Sequence, residues 1–447
     1  MMRTEIVVKV EAGPNHKKES AVMSLEVDGH AKAAELDIHG SALLKVSRSV
    51  PDMAQDFLTI AACVYAADKA ISRSDQEDRW TRNISIQIPV EHPTAWTSTR
   101  ERLSKCVSFL TGDKWEITFY KTPVRLVQRR PRLRRTRFYR PNGSAVCLFS
   151  GGLDSLIGAI DWLEQNPNDR LLLVGHYDGD VGGPKSDQSE LKVFLETRYP
   201  NRFELAQTRI GLSSGSADTN FRSRSLLFLA LGCYYAEILG EDTPVLIPEN
   251  GPIALNFPLT PARRGSCSTR TVHPFFVDQL NQVLAAVEMK TTISNPYELK
   301  TKGEMVAECL NQDLLESIYF LSRSCSKFGH RRYWENRTAG SCGICVPCLF
   351  RRASLHANKW DTETYGRRIE SFHDAVGLPD DPLALLTFVK QPLTDRDIAA
   401  RMLANGRLPA DKLAESVALV QRMRKEVLIW LHAVGSSGIK EGLPNVD

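Results

Sequence analysis

Two groups of residues in this chain have types and spacing suited to chemistry. The first is Ser150-Gly151-Gly152-Leu153-Asp154-Ser155, two hydroxyls and a carboxylate around a pair of glycines. Paired glycines let a backbone turn sharply and approach a ligand with no Cβ in the way. Main-chain N–H groups and a helix N-terminus then converge on one point, which suits phosphate or pyrophosphate. Ser150 and Ser155 add hydroxyl donors, and Asp154 near the helix start is placed to orient Mg²⁺. The run is not Gly-x4-Gly-Lys-Ser/Thr, and it has no lysine. A glycine-rich βα turn with no ligand is the plainer alternative. The second group is Cys342-Gly343-Ile344-Cys345-Val346-Pro347-Cys348, with sixteen residues separating Cys342 from Cys325. Four thiolates make a closed tetrahedral zinc site with no open position, so a structural role is expected. An iron–sulfur cluster is the alternative ligand for the same four thiolates. Cys63, Cys106, Cys147, Cys233, Cys267 and Cys309 are scattered and read as core or surface residues. Of these, Cys267 is kept open as a nucleophile.

The elements that must position the glycine turn are legible around it. The apolar run Ala145-Val146-Cys147-Leu148-Phe149 predicts a strand leading in, and Leu156 to Leu163 an apolar helix leading out. Leu171-Leu172-Leu173-Val174-Gly175-His176 predicts a second, fully buried strand of a parallel sheet. His176, Tyr177 and Asp178 then fall at the carboxyl edge, where nucleotides bind in doubly wound folds, and His176 is assigned to the adenosine end. A hydrogen-bonded core histidine is the competing reading. Arg224 stands at the start of a helix running to Glu237, where cations are repelled unless an anion is bound. Val245-Leu246-Ile247 predicts a further strand, followed by Glu249-Asn250-Gly251-Pro252. The polar loop Pro261 to Pro274 carries Arg264, Ser268, Thr269, Arg270 and His273, candidate substrate-binding residues. Thr301-Lys302-Gly303-Glu304 opens another helix, with Lys302 in reach of a pyrophosphate.

The remaining chain of 447 residues reads as supporting structure. Residues 1–140 predict an α+β appendage with strands at Glu5 to Val10, Val22 to Val27, Ile84 to Ile88 and Trp115 to Phe119, and a helix over Asp52 to Ser72. A Gly-Pro-Asn turn is expected between the first two strands. From Lys121 to Arg140 the chain has nine basic residues and no acid, either a binding surface for RNA, an acidic partner or the neighbouring phosphates, or a solvated linker. Residues 141–320 predict a doubly wound α/β domain, 321–355 the metal segment and 356–447 a helical extension. A net charge of +4 does not by itself imply nucleic acid. The longest apolar stretch, Leu226 to Leu239, is shorter than a membrane span and holds Glu237, and no signal peptide is apparent. A cytosolic protein is expected.

Ser150 to Ser155, Arg224, Thr301-Lys302-Gly303-Glu304 and the Cys325/Cys342/Cys345/Cys348 set stand in the order found in QueC, the 7-cyano-7-deazaguanine synthase family of PP-loop ATP pyrophosphatases. The resemblance covers residues 145–355. The gap after Cys325 is longer than in typical members, and Ser268-Thr269-Arg270 replaces the Pro-Asp-Cys-Arg type of substrate residues. The added N-terminal segment, with Glu249-Asn250-Gly251 and Ser268 to His273, is similar to the QueC-like proteins of Qat antiphage defence systems. This resemblance implies a PP-loop fold and ATP with Mg²⁺ as well as structural Zn²⁺. It implies Ser150, Gly151, Gly152, Leu153, Asp154 and Ser155 on the ATP, and Asp154, Ser155, Arg224 and Lys302 as catalytic. It further implies activation of a deazapurine carboxylate, with ammonia or a partner-protein amine as acceptor, and proteins encoded alongside as partners. The runner-up readings are a tRNA-thiolating PP-loop enzyme with Cys267 as its reactive thiol, and a non-catalytic scaffold.

Overall fold

The computed structural model describes residues 3–11, 22–39, 43, 50–122, 142–178, 183–218, 222–240, 242–263, 270–373 and 378–446. Strands β1 (Arg3–Glu11), β2 (Val22–Val27) and β3 (His30–His39) precede helix α1 (Asp52–Ala70), β4 (Asn83–Val90), α2 (Pro93–Thr111) and β5 (Lys114–Lys121). Then come β6 (Ala145–Leu148), α3 (Leu153–Gln165), β7 (Leu171–Tyr177), α4 (Pro184–Arg198), β8 (Phe203–Ser214) and α5 (Arg224–Leu239). They are followed by β9 (Val245–Leu246), α6 (Gly251–Ala254), α7 (Pro274–Ala286), β10 (Ile293–Ser294), α8 (Lys302–Ala307) and α9 (Gln312–Ile318). The chain ends in α10 (Val346–Ala357), α11 (Asp380–Lys390), α12 (Asp395–Asn405), α13 (Leu413–Val434) and α14 (Ser437–Lys440).

Among the described residues all ten strands form one sheet, in the order β10-β9-β6-β7-β8-β3-β2-β1-β4-β5. From β10 to β8 every pairing is parallel. Counted from β6, these five strands lie in the order 5-4-1-2-3, so the winding reverses between β6 and β9. Such a reversal opens a crevice at the carboxyl ends of the strands. Both faces of this half are covered, as continuous apolar strands require. Cys147 and Leu173 pack with Leu156 of α3 and Leu191 of α4 on one face. Val146 and Leu172 pack with Leu229 of α5 on the other.

The N-terminal residues, expected as a separate appendage, extend this same sheet. Antiparallel β3 pairs with β8 through Ile38↔Ile210 and Leu36↔Leu212. Phe57 of α1 and Ile86 of β4 belong to the same core cluster as Val146 and Leu229. A buried ionic group ties α1 to its neighbours: Arg82 bonds Asp68 and Asp113 (2.7 Å to the latter), and Arg73 bonds Asp113 at 2.8 Å. Burial opposes the Arg82 charge, but Asp68 and Asp113 outweigh it and keep the guanidinium charged. The other Asp68 oxygen accepts from the Ser223 N–H at 2.8 Å, at the N-terminus of α5. The C-terminal helices have their own core, with Leu385, Ile398, Val420 and Trp430 fully buried. The expected turn after β1 and the basic run from 123 to 140 lie outside the described residues. No helix among the described residues is long and apolar enough to cross a membrane.

Candidate functional site

The glycine turn follows β6 at the point where the strand order reverses. Gly151 adopts φ +87°, and a Cβ there would lie 3.3 Å from the Asp187 Cβ, so the position favours glycine on both counts. Gly152 is the N-cap of α3, and no side chain caps that helix. The first N–H groups of a helix have no acceptor within it, so those of α3 face the turn. Ser150 Oγ lies 3.2 Å from Ser155 Oγ and accepts from the Gly152 N–H, while Ser155 Oγ–H donates to the Gly152 carbonyl at 2.9 Å. Ser150 is exposed, whereas Leu153, Asp154 and Ser155 are buried. Two hydroxyls and a bare helix start therefore share one small volume, with the properties of an anion cradle.

Asp154 and Lys302 are 148 positions apart and form a buried ion pair. Asn250, the N-cap of α6, donates to Asp154 Oδ2 from its backbone N at 3.2 Å and from Nδ2 at 2.7 Å. Burial raises the Asp154 carboxyl, but the Lys302 charge and hydrogen bonds from Glu249, Lys302 and Asn250 together hold it below the ordinary range. Burial and the Asp154 charge drive Glu249 the other way, well above its usual value. The same surroundings thus drive the two carboxyls in opposite directions, Asp154 down and Glu249 up. Lys302 is held in place from both sides. Thr301 caps α8 in a reciprocal box with Glu304. Glu426 of α13 accepts from the Thr301 hydroxyl.

Arg224 lies at the start of α5 with no carboxylate within salt-bridge range among the described residues; its guanidinium reaches His176 Nδ1 at 3.4 Å and the His176 carbonyl at 3.5 Å. His176 is buried, and its Nε2 lies 3.0 Å from the Ile210 carbonyl. Burial and then Arg224 push its imidazole down to about 3. A neutral ring donating through Nε2–H and accepting at Nδ1 satisfies both contacts. The adjacent Asp178 accepts from the Tyr65 hydroxyl at 2.6 Å and from Lys69 at 2.8 Å. Tyr65 and Lys69 come from α1, so the N-terminal segment builds part of the wall beside Arg224. Sequence reasoning assigned neither of them.

The candidate substrate residues divide. Arg264, Ser268 and Thr269, with Cys267, lie outside the described residues. Arg270 donates to the Phe109 carbonyl at 2.7 Å and stacks over the Phe109 ring, 4.5 Å from its centroid. His273 is buried as the N-cap of α7, its Nδ1 accepting from the Phe275 N–H at 3.2 Å. The Arg270 contacts join the loop to α2, and the His273 ring packs edge-on against Phe109 of that helix, 5.1 Å between centroids.

The four cysteines converge. Their sulfur atoms all lie within 4.8 Å of one another. The 3.8 Å between Cys342 Sγ and Cys348 Sγ equals the edge of a tetrahedron with ~2.3 Å metal–sulfur bonds. Backbone N–H groups point at the sulfurs: Cys342 N at Cys325 Sγ (3.3 Å) and Cys345 N at Cys342 Sγ (3.2 Å). Such donors stabilise thiolates and orient metal ligands. Gly343 has φ +81°, and a Cβ there would lie 2.3 Å from the Arg367 carbonyl. The donor set, spacing and N–H···S contacts fit a closed structural zinc site.

Comparison of the chain with protein-family models, with curated sequences and with solved structures finds no match.

Proposed function

We propose that this chain is a QueC-like, PP-loop ATP-dependent ligase that activates the carboxylate of a 7-carboxy-7-deazaguanine-like compound and transfers it to an amine. The observation that carries this reading is the uncapped glycine turn at the strand-order reversal, with the Asp154–Lys302 pair directly beneath it. ATP would place its β and γ phosphates on the N–H groups of α3 and the hydroxyls of Ser150 and Ser155. A substrate carboxylate oxygen attacks the α phosphorus, and the bond from that phosphorus to the bridging oxygen breaks. Pyrophosphate leaves with the electron pair, and an acyl-adenylate remains. An amine lone pair then attacks the acyl carbon, AMP departs, and the amine proton passes to solvent. Arg224 and Lys302 stabilise charge that grows on phosphate oxygens, where preorganised cations act most strongly. A Mg²⁺ carried in with ATP would neutralise phosphate charge, with Asp154 the carboxylate nearest the turn available to hold it. Zinc on the four cysteines would be structural. The amine is ammonia or belongs to a protein encoded alongside, in bacterial antiphage defence and in the cytoplasm.

The test is mass spectrometry of products from ATP and 7-carboxy-7-deazaguanine, with and without neighbouring gene products, alongside Asp154→Ala and Ser155→Ala. Wild type is expected to release AMP and pyrophosphate. Ser155→Ala is expected to melt normally, whereas Asp154→Ala, which strands the buried Lys302 ammonium, is expected to melt lower; both are expected to lose on the order of 10²-fold or more in AMP formation. No AMP from the wild type under any of these conditions overturns the ligase reading in favour of a partner-binding scaffold.

A further inference from the structure

The outer wall of the glycine turn is built by the segment that leads into the metal site. Arg323, two residues before Cys325, donates its backbone N–H to the Gly151 carbonyl at 2.9 Å. A Cβ added at Gly152 would lie 3.4 Å from the Arg323 carbonyl and 3.6 Å from Ser324 Oγ. The segment is clamped at its other end from the metal-bearing helix α10. Arg351, fully buried there, donates to Ser322 Oγ at 2.9 Å and to the Tyr319 carbonyl at 2.9 Å. Residues 319–325 are therefore held by Arg351 before the turn contact and by Cys325 after it.

The Arg323 side chain has one carboxylate partner among the described residues, Asp187 on α4, at 3.3 Å. The contact is loose for an arginine–carboxylate pair, which forms its strong bonds near 2.7–2.9 Å. Asp187 is largely buried against Gly151, while a third of the Arg323 side chain remains exposed. Burial pushes the Asp187 carboxyl up to about 6, Arg323 opposing this and Glu190 adding to it. A partly exposed guanidinium thus rests on a weak acid and over the Phe328 ring, 5.5 Å from its centroid, directly beside the turn and anchored by a backbone bond to that turn.

We propose that Arg323 is a phosphate-binding residue, delivered by the metal-bound segment, that exchanges Asp187 for the phosphates of a nucleotide on the glycine turn. This rests on the assignment of the turn to ATP. Asp187 acts as the counter-ion that Arg323 leaves, and the four-cysteine centre fixes the backbone from which the arginine swings. Metal binding and phosphate binding are then one structural unit.

The experiment uses full-length, zinc-loaded protein and measures affinity for ATP, pyrophosphate and adenosine by calorimetry, with metal content recorded for every variant. Arg323→Gln is expected to weaken ATP and pyrophosphate by about 10- to 100-fold, as for one charge-assisted contact, and to leave adenosine unchanged. Arg323→Lys is expected to recover part of the loss. Asp187→Asn, which touches neither the metal segment's backbone nor the hydroxyls, is expected to tighten pyrophosphate by a few fold, because the arginine is released. An Arg323→Gln protein that keeps its zinc and binds ATP like wild type overturns the proposal. So does an Asp187→Asn protein that binds pyrophosphate more weakly, which serves where Arg323→Gln loses metal. Wild type that binds ATP but makes no AMP refutes the ligase reading and leaves Arg323 in place. Wild type that binds neither ATP nor pyrophosphate overturns both.

Discussion

Replacing Lys302 by methionine removes the cation from the buried pair while keeping the side chain's length and apolar stem. Taking one partner from a buried ion pair costs ~3–5 kcal/mol, because the remaining charge is left uncompensated. Here the loss is softened, since Asp154 keeps two N–H donors from Asn250 and its side-chain hydrogen bond with Glu249. The expected cost is about 2–3 kcal/mol at pH 8. Its pH dependence follows from the Asp154 carboxyl, which Lys302 holds down against burial. In wild type that depressed value contributes stability above the ordinary carboxylate range, and it is lost as pH falls through that range. With Lys302 gone, burial moves the carboxyl above its ordinary value, and such a group costs stability as pH rises. The deficit is therefore largest at pH 8 and smaller at pH 5. Urea denaturation at both values measures it, and Asp154→Asn in the Lys302→Met background is expected to recover at least 1 kcal/mol at pH 8 by removing the stranded charge. A deficit under about 0.5 kcal/mol at pH 8, or one that grows toward pH 5, refutes the argument that this pair braces the turn.

Cys345→Ser is expected to lose the metal and much of its soluble yield, because the site closes the fold around residues 321–367. Metal analysis of purified protein checks it, with full occupancy and a normal melt the contrary result. Arg82→Leu leaves Asp68 and Asp113 in the core with Arg73 still paired to them, and about 3 kcal/mol of destabilisation is expected. It should appear as one cooperative transition for the whole α/β body, whereas separate unfolding of the first 122 residues would contradict the shared core. Burial pushes the Glu426 carboxyl up to about 7, a hydrogen bond from Thr301 opposing this. Its raised value means wild type loses stability as pH climbs from ~4.5 through about 7. Glu426→Gln should thus gain on wild type above pH 7, with the difference fading below pH ~4.5; melts across pH 4–8 read this directly.

The local pattern of the chain determined the strands at 145–148 and 171–177, the turn between Ser150 and Ser155, the start of α8 and the cysteine spacing. Each is a matter of periodicity, glycine geometry or ligand chemistry within a few residues, and such signals survive without tertiary context. Tertiary structure alone decided that β3 would pair with β8 and so make the N-terminal residues part of the central sheet. It also decided that Asp154 would meet Lys302, Asn250 and Glu249, and that Arg323 and Asp187 would flank Gly151. Those partners lie tens to over a hundred positions apart and come together only where the strand order reverses. No local periodicity encodes which carboxylate a lysine will face across a sheet edge. That choice is made by register and packing, and by the cost of leaving a buried charge unpaired.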